Sequence, residues 1–575
     1  VTNRTLGIKT LVTLAAIGAI VIGEYWEAAA VVFLFSLGSY LEGRTMRKTR
    51  TALQELLEMT PDTATVRRDG ELQEVPAREV EEGEVVVVKP GGKIPVDGTV
   101  VDGESAVNQA PVTGESAPVH KADGDEVYAG TVNQEGALEI RTTGAGSDTT
   151  LERIIRRVEE AQEAQSPTES LIDRFAKYYT PAVIVLAIGA YAVTQNAILS
   201  LTLLVIGCPG ALVIGPPVSI VSAIGNAARS GVLMKGGEHL ERAGKIDLVA
   251  FDKTGTLTKG ETTVADVEGF GVADDEVLSL AATAEKKSEH HLADAIVDAA
   301  REDPTAATDG GTTVAQADDT DAGRRSVPDP DDFDVVAGKG VIAHADGQEV
   351  VVGNRALLDD RDIDVPSRVA DYVREREGRG ETVVHVVRDG DIIGAIAMRD
   401  ELREAAPGVV AALQDAGIET VMLTGDNERT AAAVAEEVGI DEYRAELLPE
   451  DKQSVIEGYQ ADGHVVAMVG DGINDAPSLA TADVGIAMGA AGTDTAIETA
   501  DMALMADDLE RIPYAVKLSK ATRWNVLENV GLAVLTVTVL LAGVLTSYVT
   551  LASGMLVHEA SVLLVILNGM RLLRY

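Results

Sequence analysis

The stretch Asp252-Lys253-Thr254-Gly255-Thr256-Leu257-Thr258 constrains this chain more than any other. It follows the apolar run Ile246 to Phe251, which reads as a buried strand. A carboxylate at the C-terminal end of such a strand, followed by a glycine turn, stands where open α/β sheets place their chemistry. Asp252 is a candidate nucleophile, because a carboxylate can accept a phosphoryl group covalently. Lys253 brings positive charge, and the Thr and Gly residues let a phosphate come close. The alternative is an ordinary polar turn after a strand.

Two later stretches repeat the same pattern. Val421-Met422-Leu423-Thr424-Gly425-Asp426-Asn427 reads as a strand and a phosphate-binding turn, with Asp400 and the helix Pro407 to Ala416 before it. Val465 to Val469 is another buried strand, ending in Gly470-Asp471-Gly472-Ile473-Asn474-Asp475-Ala476-Pro477. Hard carboxylate oxygens in that position suit Mg²⁺ beside a phosphate. Between the two, Pro449-Glu450-Asp451-Lys452 offers a lysine able to hold phosphate as a point charge.

Apolar runs frame these segments. Leu11 to Gly23 and Ala28 to Tyr40 form an expected hairpin through a bilayer, joined by Glu24-Tyr25-Trp26-Glu27. Further spans are expected at about Tyr179 to Val193, Ile198 to Ile224, Trp524 to Leu545 and Ser547 to Leu567. The basic clusters Arg44, Arg47, Lys48 and Arg50; Lys517, Lys520 and Arg523; and Arg571 and Arg574 all fall on one side of this six-span layout. The intervening soluble stretches share that side, which makes it the cytoplasmic one. The composition of the 575 residues agrees: 46% hydrophobic with 24% charged fits spans joined to soluble domains. A net charge of −44 argues against nucleic-acid binding and suggests a surface adapted to high salt, a halophilic trait. Residues from about 60 to 145 alternate short apolar runs with Gly, Pro and Asp turns, as a small β-rich domain would.

Two places inside the spans carry chemistry. The fourth contains the sole cysteine in Ile206-Gly207-Cys208-Pro209-Gly210, then Gly215-Pro216-Pro217. Proline breaks a membrane helix and frees backbone carbonyls. A thiolate beside such a break is a plausible transition-metal site, although an isolated cysteine also serves as packing. The last span holds His558-Glu559, and ionisable residues inside a membrane are functional candidates.

The seven-residue motif at Asp252 is the phosphorylation signature of P-type ATPases, which the sequence resembles over essentially its whole length. The resemblance implies a membrane α-helical bundle with three cytoplasmic domains. These are a β-rich actuator domain, an α/β haloacid-dehalogenase-like phosphorylation domain and an α+β nucleotide-binding domain. The expected boundaries are 1–50 for spans one and two, 51–165 for the actuator and 166–240 for spans three and four. The phosphorylation domain would take 241–262 and 399–515, the nucleotide domain 263–398, and the last two spans 516–575. The resemblance makes Asp252 the phosphorylated residue, assisted by Lys253, Thr424 and Lys452, with Mg²⁺ at Asp252, Thr254 and Asp471 and with Asn474 and Asp475 nearby. Thr113-Gly114-Glu115-Ser116 resembles the actuator motif, which makes Glu115 the residue that positions water for hydrolysis. ATP is expected against Glu285, His290, Gly338, Gly340, Gly353, Asn354, Gly425 and Asp426.

The fourth span and the sequence through Met234-Lys235-Gly236-Gly237 resemble the heavy-metal-transporting subgroup. Cys-Pro-Gly stands where that subgroup usually has Cys-Pro-Cys, Cys-Pro-His or Ser-Pro-Cys. His558-Glu559 resembles the subgroup's His-Glu motif, with Ala560 in place of the usual Gly. The expected function is ATP-driven export of a metal cation held by Cys208, His558 and Glu559, with a cytoplasmic metal donor as a candidate partner. A thiolate, an imidazole and a carboxylate suit a divalent ion (Zn, Co, Cd or Fe) better than Cu⁺. The fifth span lacks the lysine of the zinc, cadmium and lead pumps, and the last two spans lack the copper-type Tyr-Asn and Met-x-x-Ser patterns. A copper(I) pump, a membrane-anchored phosphatase without transport and a non-enzymatic metal-binding protein are the competing readings.

Overall fold

In the computed structural model, strand Leu248–Asp252 is buried at every position and lies inside a parallel sheet. Strand Glu419–Leu423 flanks it on one side and Val466–Gly470 on the other, and Glu442–Arg444 extends the first side. A run that is apolar on both faces is what a parallel sheet covered by helices requires. Helices Ala406–Asp415, Glu428–Val438 and Pro449–Ala461 supply the crossovers. The strand order reverses direction next to Leu248–Asp252, so Asp252 ends the strand at the switch point of the sheet, where such folds open a crevice. The described residues are 8–57, 61, 63–68, 70–109, 112, 118–288, 291–301, 327–336, 338–345, 347–471, 475–489 and 499–575. Glu115, His290 and Asn474 lie outside them.

The chain divides into two compact units, Asp247–Ala482 and the remainder. Within the first, a six-stranded antiparallel sheet follows the phosphorylation stretch. Its order runs Thr258–Gly269, Asp391–Leu402, Thr382–Arg388, Gln348–Gly353, Gly340–Ala345, Asp332–Val336. Helices Asp274–Glu285 and His291–Arg301 pack on it through Val277, Ala281, Ile296, Val350 and Ile396. This sheet with its helices occupies the stretch that the resemblance assigns to the α+β nucleotide domain, and strands Thr258–Gly269 and Asp391–Leu402 lead out of and back to the parallel sheet.

The other unit carries the apolar helices and the β-rich domain. Among the described residues, four helical segments are long and apolar enough to cross a membrane: Thr150–Thr194, Ala197–Arg229, Arg511–Leu545 and Leu551–Arg574. The first apolar hairpin forms helices Ile8–Val21 and Tyr25–Leu57, whose apolar stretches Leu11–Val21 and Tyr25–Leu41 are shorter than a full span. The helices bury Val31, Val205, Leu551 and Met555 together in one cluster and Val218, Ala533, Val562 and Val565 in another. Ile17, Phe33, Val185, Ile188, Val539 and Leu564 face outward, as lipid-facing side chains do.

The third-span helix begins earlier than its hydropathy suggests, at Pro167, because Ser166 and Glu169 form a capping box there. The fourth span is two helices, Ala197–Ile206 and Gly210–Arg229, interrupted at Gly207-Cys208-Pro209. The β-rich domain is a six-stranded sheet beside a three-stranded one, around Val66, Val86, Ile94, Val107 and Ile140. Strand Val85–Val88 alternates half-buried and buried positions, as its period of two requires.

Candidate active site and ion site

Asp252 is 6% exposed and receives the Lys452 ammonium at 2.5 Å. The same ammonium reaches Asp475 at 2.8 Å. Lys452 comes from the first turn of helix Pro449–Ala461, which Pro449 starts and Asp451 caps. Burial pushes the Asp252 carboxyl well above the usual carboxylate range, Lys452 opposes this, and Asp475 and Asp471 add to it. Burial alone would lower the Lys452 ammonium, but Asp252 and Asp475 together hold it above its ordinary value. Two buried carboxylates, Asp252 and Asp475, thus share one ammonium, with the Asp471 charge close by.

That surplus of negative charge is what a divalent cation would neutralise. Gly255 has φ +71° and stands so close to Asp471 that a Cβ there would lie 3.2 Å from Oδ2. The absence of a side chain at Gly255 therefore leaves room for the Asp471 carboxylate near Asp252. Among the described residues no three His, Cys, Asp or Glu side chains gather as a metal cluster. Mg²⁺ bound by one or two carboxylates, backbone and substrate phosphate needs no such cluster, so the donor set fits. Asp475, expected near the metal, is engaged with Lys452.

Lys253 pairs with Asp426, whose other oxygen accepts from the Thr382 hydroxyl at 3.1 Å. Thr424 is 3% exposed, and its hydroxyl accepts from the Asp426 amide at 3.1 Å. Four residues given no site role by the sequence hold this region. Asp400 takes the Thr258 hydroxyl at 2.5 Å and the Gly260 amide at 3.0 Å. Arg403 donates to the carbonyls of Thr258 at 3.1 Å and Gly255 at 3.2 Å. Thr382 holds Asp426, and Glu377 accepts from Asn427 and Arg429, each at 2.9 Å. Asp400 and Arg403 are separated from the Asp252 turn by the whole nucleotide domain, so only a pairing of its first and last strands would have revealed them.

On the nucleotide domain, Gly338 and Gly340 have φ +70° and +142° in the hairpin between strands Asp332–Val336 and Gly340–Ala345. A Cβ at Gly340 would lie 2.5 Å from the Cα of Gly353, so these two glycines are required by strand packing alone. Asn354 donates to the Gly338 carbonyl at 3.0 Å and fixes the hairpin tip. A Cβ at Gly338 would lie 3.4 Å from Leu448, one turn before Lys452, which puts the tip beside the Asp252 crevice. Glu285 is 7% exposed, and burial raises its carboxyl to about 7, with Ser288 opposing. Gly425 follows Thr424 in the same turn as Asp426.

In the membrane helices, Cys208 is 1% and His558 4% exposed. The His558 Nε2 faces Gly210, where a Cβ would lie 3.2 Å away, and its Nδ1 has no hydrogen-bond partner among the described residues. The Glu559 carboxylate lies against Gly38 of the second helix, where any side chain would overlap it. The structure thus brings His558 to the Cys208-Pro209-Gly210 break and sets the Glu559 carboxylate against the second helix.

Comparison with known proteins bears on all of this. Residues 58–159 match the P-type ATPase actuator domain family, and residues 246–483 match the haloacid dehalogenase-like hydrolases. A "Cadmium-transporting ATPase" of Staphylococcus aureus is 41% identical over 98% of this chain and 77% of its own length. A "Probable copper-exporting P-type ATPase V" of Mycobacterium tuberculosis is 41% identical over 92% of this chain and 68% of its own. The crystal structure of a zinc-transporting PIB-type ATPase in its E2.Pi state aligns with 99% of this chain and 90% of that one, at 37% identity and a TM-score of 0.57. The chain therefore belongs to the P-type ATPases, in their heavy-metal-transporting subgroup, and is a membrane-bound, ATP-hydrolysing cation transporter with cytoplasmic soluble domains.

Proposed function

We propose that the chain exports a divalent heavy-metal cation by cycling through an aspartyl-phosphate on Asp252. The observation that carries this is the contact of Asp252 with Lys452 at the mouth of the parallel sheet. One Asp252 oxygen attacks the γ-phosphorus of ATP, and the bond to the bridging oxygen breaks, leaving its electron pair on ADP. Lys452 offsets charge on the transferred group, and Lys253, held by Asp426, keeps the turn oriented. Asp252, Asp471 and the Thr254 backbone would hold Mg²⁺, which would supply positive charge against the phosphate. The Gly338 hairpin tip and Glu285 bind the nucleotide. A water oriented by Glu115 then attacks phosphorus, its proton passing to that carboxylate, and free phosphate leaves Asp252 restored.

The transported ion is bound by Cys208 and His558, with Glu559 reaching it in another state of the cycle. A sulfur and an imidazole donor favour borderline divalent ions, and the cadmium- and zinc-transporting relatives point the same way. The copper-exporting relative at equal identity favours Cu⁺ as the second reading. ATPase activity of the full chain in vesicles, measured with Zn²⁺, Cd²⁺, Co²⁺, Fe²⁺ and Cu⁺, separates them. Stimulation by divalent ions that Cys208→Ala abolishes is expected, and stimulation by Cu⁺ alone would overturn the choice. Hydrolysis indifferent to every metal would point to a phosphatase.

A further inference from the structure

The cytoplasmic ends of the last two spans line a cavity of about 520 Å³, within the size range of small-molecule sites. Its walls include Trp524 and Glu528 of helix Arg511–Leu545, and Arg571, Arg574 and Tyr575 in and after the turn Met570–Arg574. Trp524 and Glu528 are four residues apart and so share one face of their helix. Trp524 stands at the start of the expected fifth span and the arginines just beyond the sixth, which puts the cavity at the level of the lipid headgroups.

The charges around it run against the trend of the chain. Acidic residues outnumber basic ones 92 to 48, and arginines such as Arg67, Arg68, Arg376 and Arg429 each meet a carboxylate. Among the described residues, Arg571 meets none and donates to the Asn568 amide oxygen at 2.8 Å. Arg574 has no hydrogen-bond or ion-pair partner among them. Glu528, the carboxylate of the cavity, accepts from the Asn568 amide nitrogen at 3.3 Å, so Asn568 stands between it and Arg571. Two guanidiniums and one carboxylate leave one positive charge. Trp524 and Tyr575, 65% and 56% exposed, are aromatics of the kind that settle at a membrane interface. Farther along the helices Leu527, Val534, Leu535, Leu564 and Leu567 face outward, a surface suited to acyl chains.

We propose that this cavity binds the headgroup of a phospholipid carrying one net negative charge and a free hydroxyl, such as phosphatidylglycerol, with the phosphate between Arg571 and Arg574 and the hydroxyl donating to Glu528. Guanidinium groups match the geometry of phosphate oxygens, and basic pockets between cytoplasmic helix ends suit anionic headgroups. A zwitterionic lipid brings its own cation and leaves the positive charge of the cavity unanswered. The bound headgroup braces two helices, since the arginines come from one and Glu528 from the other. It also adjoins a buried polar network. Asn568 donates to Asn529 at 3.0 Å, Asn525 donates to the Asn568 carbonyl at 2.9 Å, and Ser219 of the fourth span donates to Asn525 at 2.7 Å.

The chain has two tryptophans, Trp26 and Trp524, so Trp26→Phe leaves a single fluorophore in the wall of the cavity. The test places that full chain in phosphatidylcholine vesicles containing brominated phosphatidylglycerol, brominated phosphatidylethanolamine or brominated phosphatidylcholine at equal mole fraction, and compares the quenching of Trp524. Brominated phosphatidylglycerol should be preferred, by about fivefold for each arginine. Arg571→Gln/Arg574→Gln should abolish the preference and Arg571→Lys/Arg574→Lys should keep much of it, with phosphorylation of Asp252 by inorganic phosphate showing that both variants are folded. Equal quenching by all three lipids, or a stronger effect of phosphatidylethanolamine, overturns the proposal. A preference that survives loss of both arginines overturns it too, because the general surface charge would then be its source. Displacement of the brominated lipid by soluble glycerol phosphate at comparable concentration would show a site for free phosphate esters and overturn the lipid assignment.

Discussion

Lys452→Met tests the electrostatics of the phosphorylation site. The ammonium bridges Asp252 at 2.5 Å and Asp475 at 2.8 Å, with only 12% of its side chain exposed. At an effective dielectric of about 20, each contact is worth roughly 6 kcal/mol of gross attraction. Desolvation of the ammonium cancels much of that, and removing one partner of a buried pair costs about 3–5 kcal/mol in measured cases. Methionine matches the lysine stem in length, so the loss is one of charge and not of packing. Part of it appears as stability, because Asp252 and Asp475 must then protonate or admit water. The part specific to the transferred phosphoryl group should resemble loss of one preorganised charge stabiliser, about 100- to 1,000-fold in rate. The assay is single-turnover formation of acid-stable phosphoenzyme from radiolabelled ATP, with the thermal midpoint recorded in parallel. Lys452→Arg should recover part of the rate, because the charge returns with a different geometry. A Lys452→Met enzyme that phosphorylates within about threefold of the parent would refute the role given to this contact.

Three further outcomes follow from the same geometry. Gly255→Ala forces a side chain into φ +71° and against Asp471 at 3.2 Å; a cost of about 1–2 kcal/mol should lower the phosphoenzyme rate about tenfold, read by the same single-turnover assay. Arg403→Ala removes the two bonds to the Gly255 and Thr258 carbonyls; at about 1.5–3 kcal/mol for a charged donor, phosphorylation should fall while metal binding measured by equilibrium dialysis stays unchanged. Glu285 titrates near 7 in the fold against an ordinary 4.5, so the folded chain keeps a proton that the unfolded chain has released. Stability is therefore lost as pH rises from about 4.5 through about 7, by at most about 3 kcal/mol. Glu285→Gln should flatten that slope in thermal melts of the full chain and raise the midpoint at pH about 8.

The features legible in the sequence were those with a local cause. Asp252 follows an apolar strand and precedes a glycine turn, so seven residues carry the whole message. The break in the fourth span is written in Pro209, and the parallel sheet in three apolar runs followed by Asp252, by Thr424 and by Gly470-Asp471. What stayed hidden depends on distant partners. Asp400 and Arg403 brace the Asp252 turn only because strands Thr258–Gly269 and Asp391–Leu402 pair across the nucleotide domain. Gly340 and Gly353 were read as nucleotide contacts, while their spacing already follows from two strands that touch. The sequence showed Gly210 as a missing ligand. Only the position of His558, more than 300 residues later, shows what the missing side chain makes room for.

The central claim is that phosphorylation of Asp252 and binding of metal in the membrane are one coupled reaction. It is tested most directly by measuring phosphoenzyme formed from radiolabelled ATP and metal accumulated in inverted vesicles, in the same preparation, for the parent, Asp252→Asn and Cys208→Ala. The account expects Zn²⁺ or Cd²⁺ to raise both signals together in the parent. Asp252→Asn should abolish both, and Cys208→Ala should abolish the metal dependence of both. Metal uptake that persists in Asp252→Asn, or phosphoenzyme in the parent that ignores every metal, would contradict it.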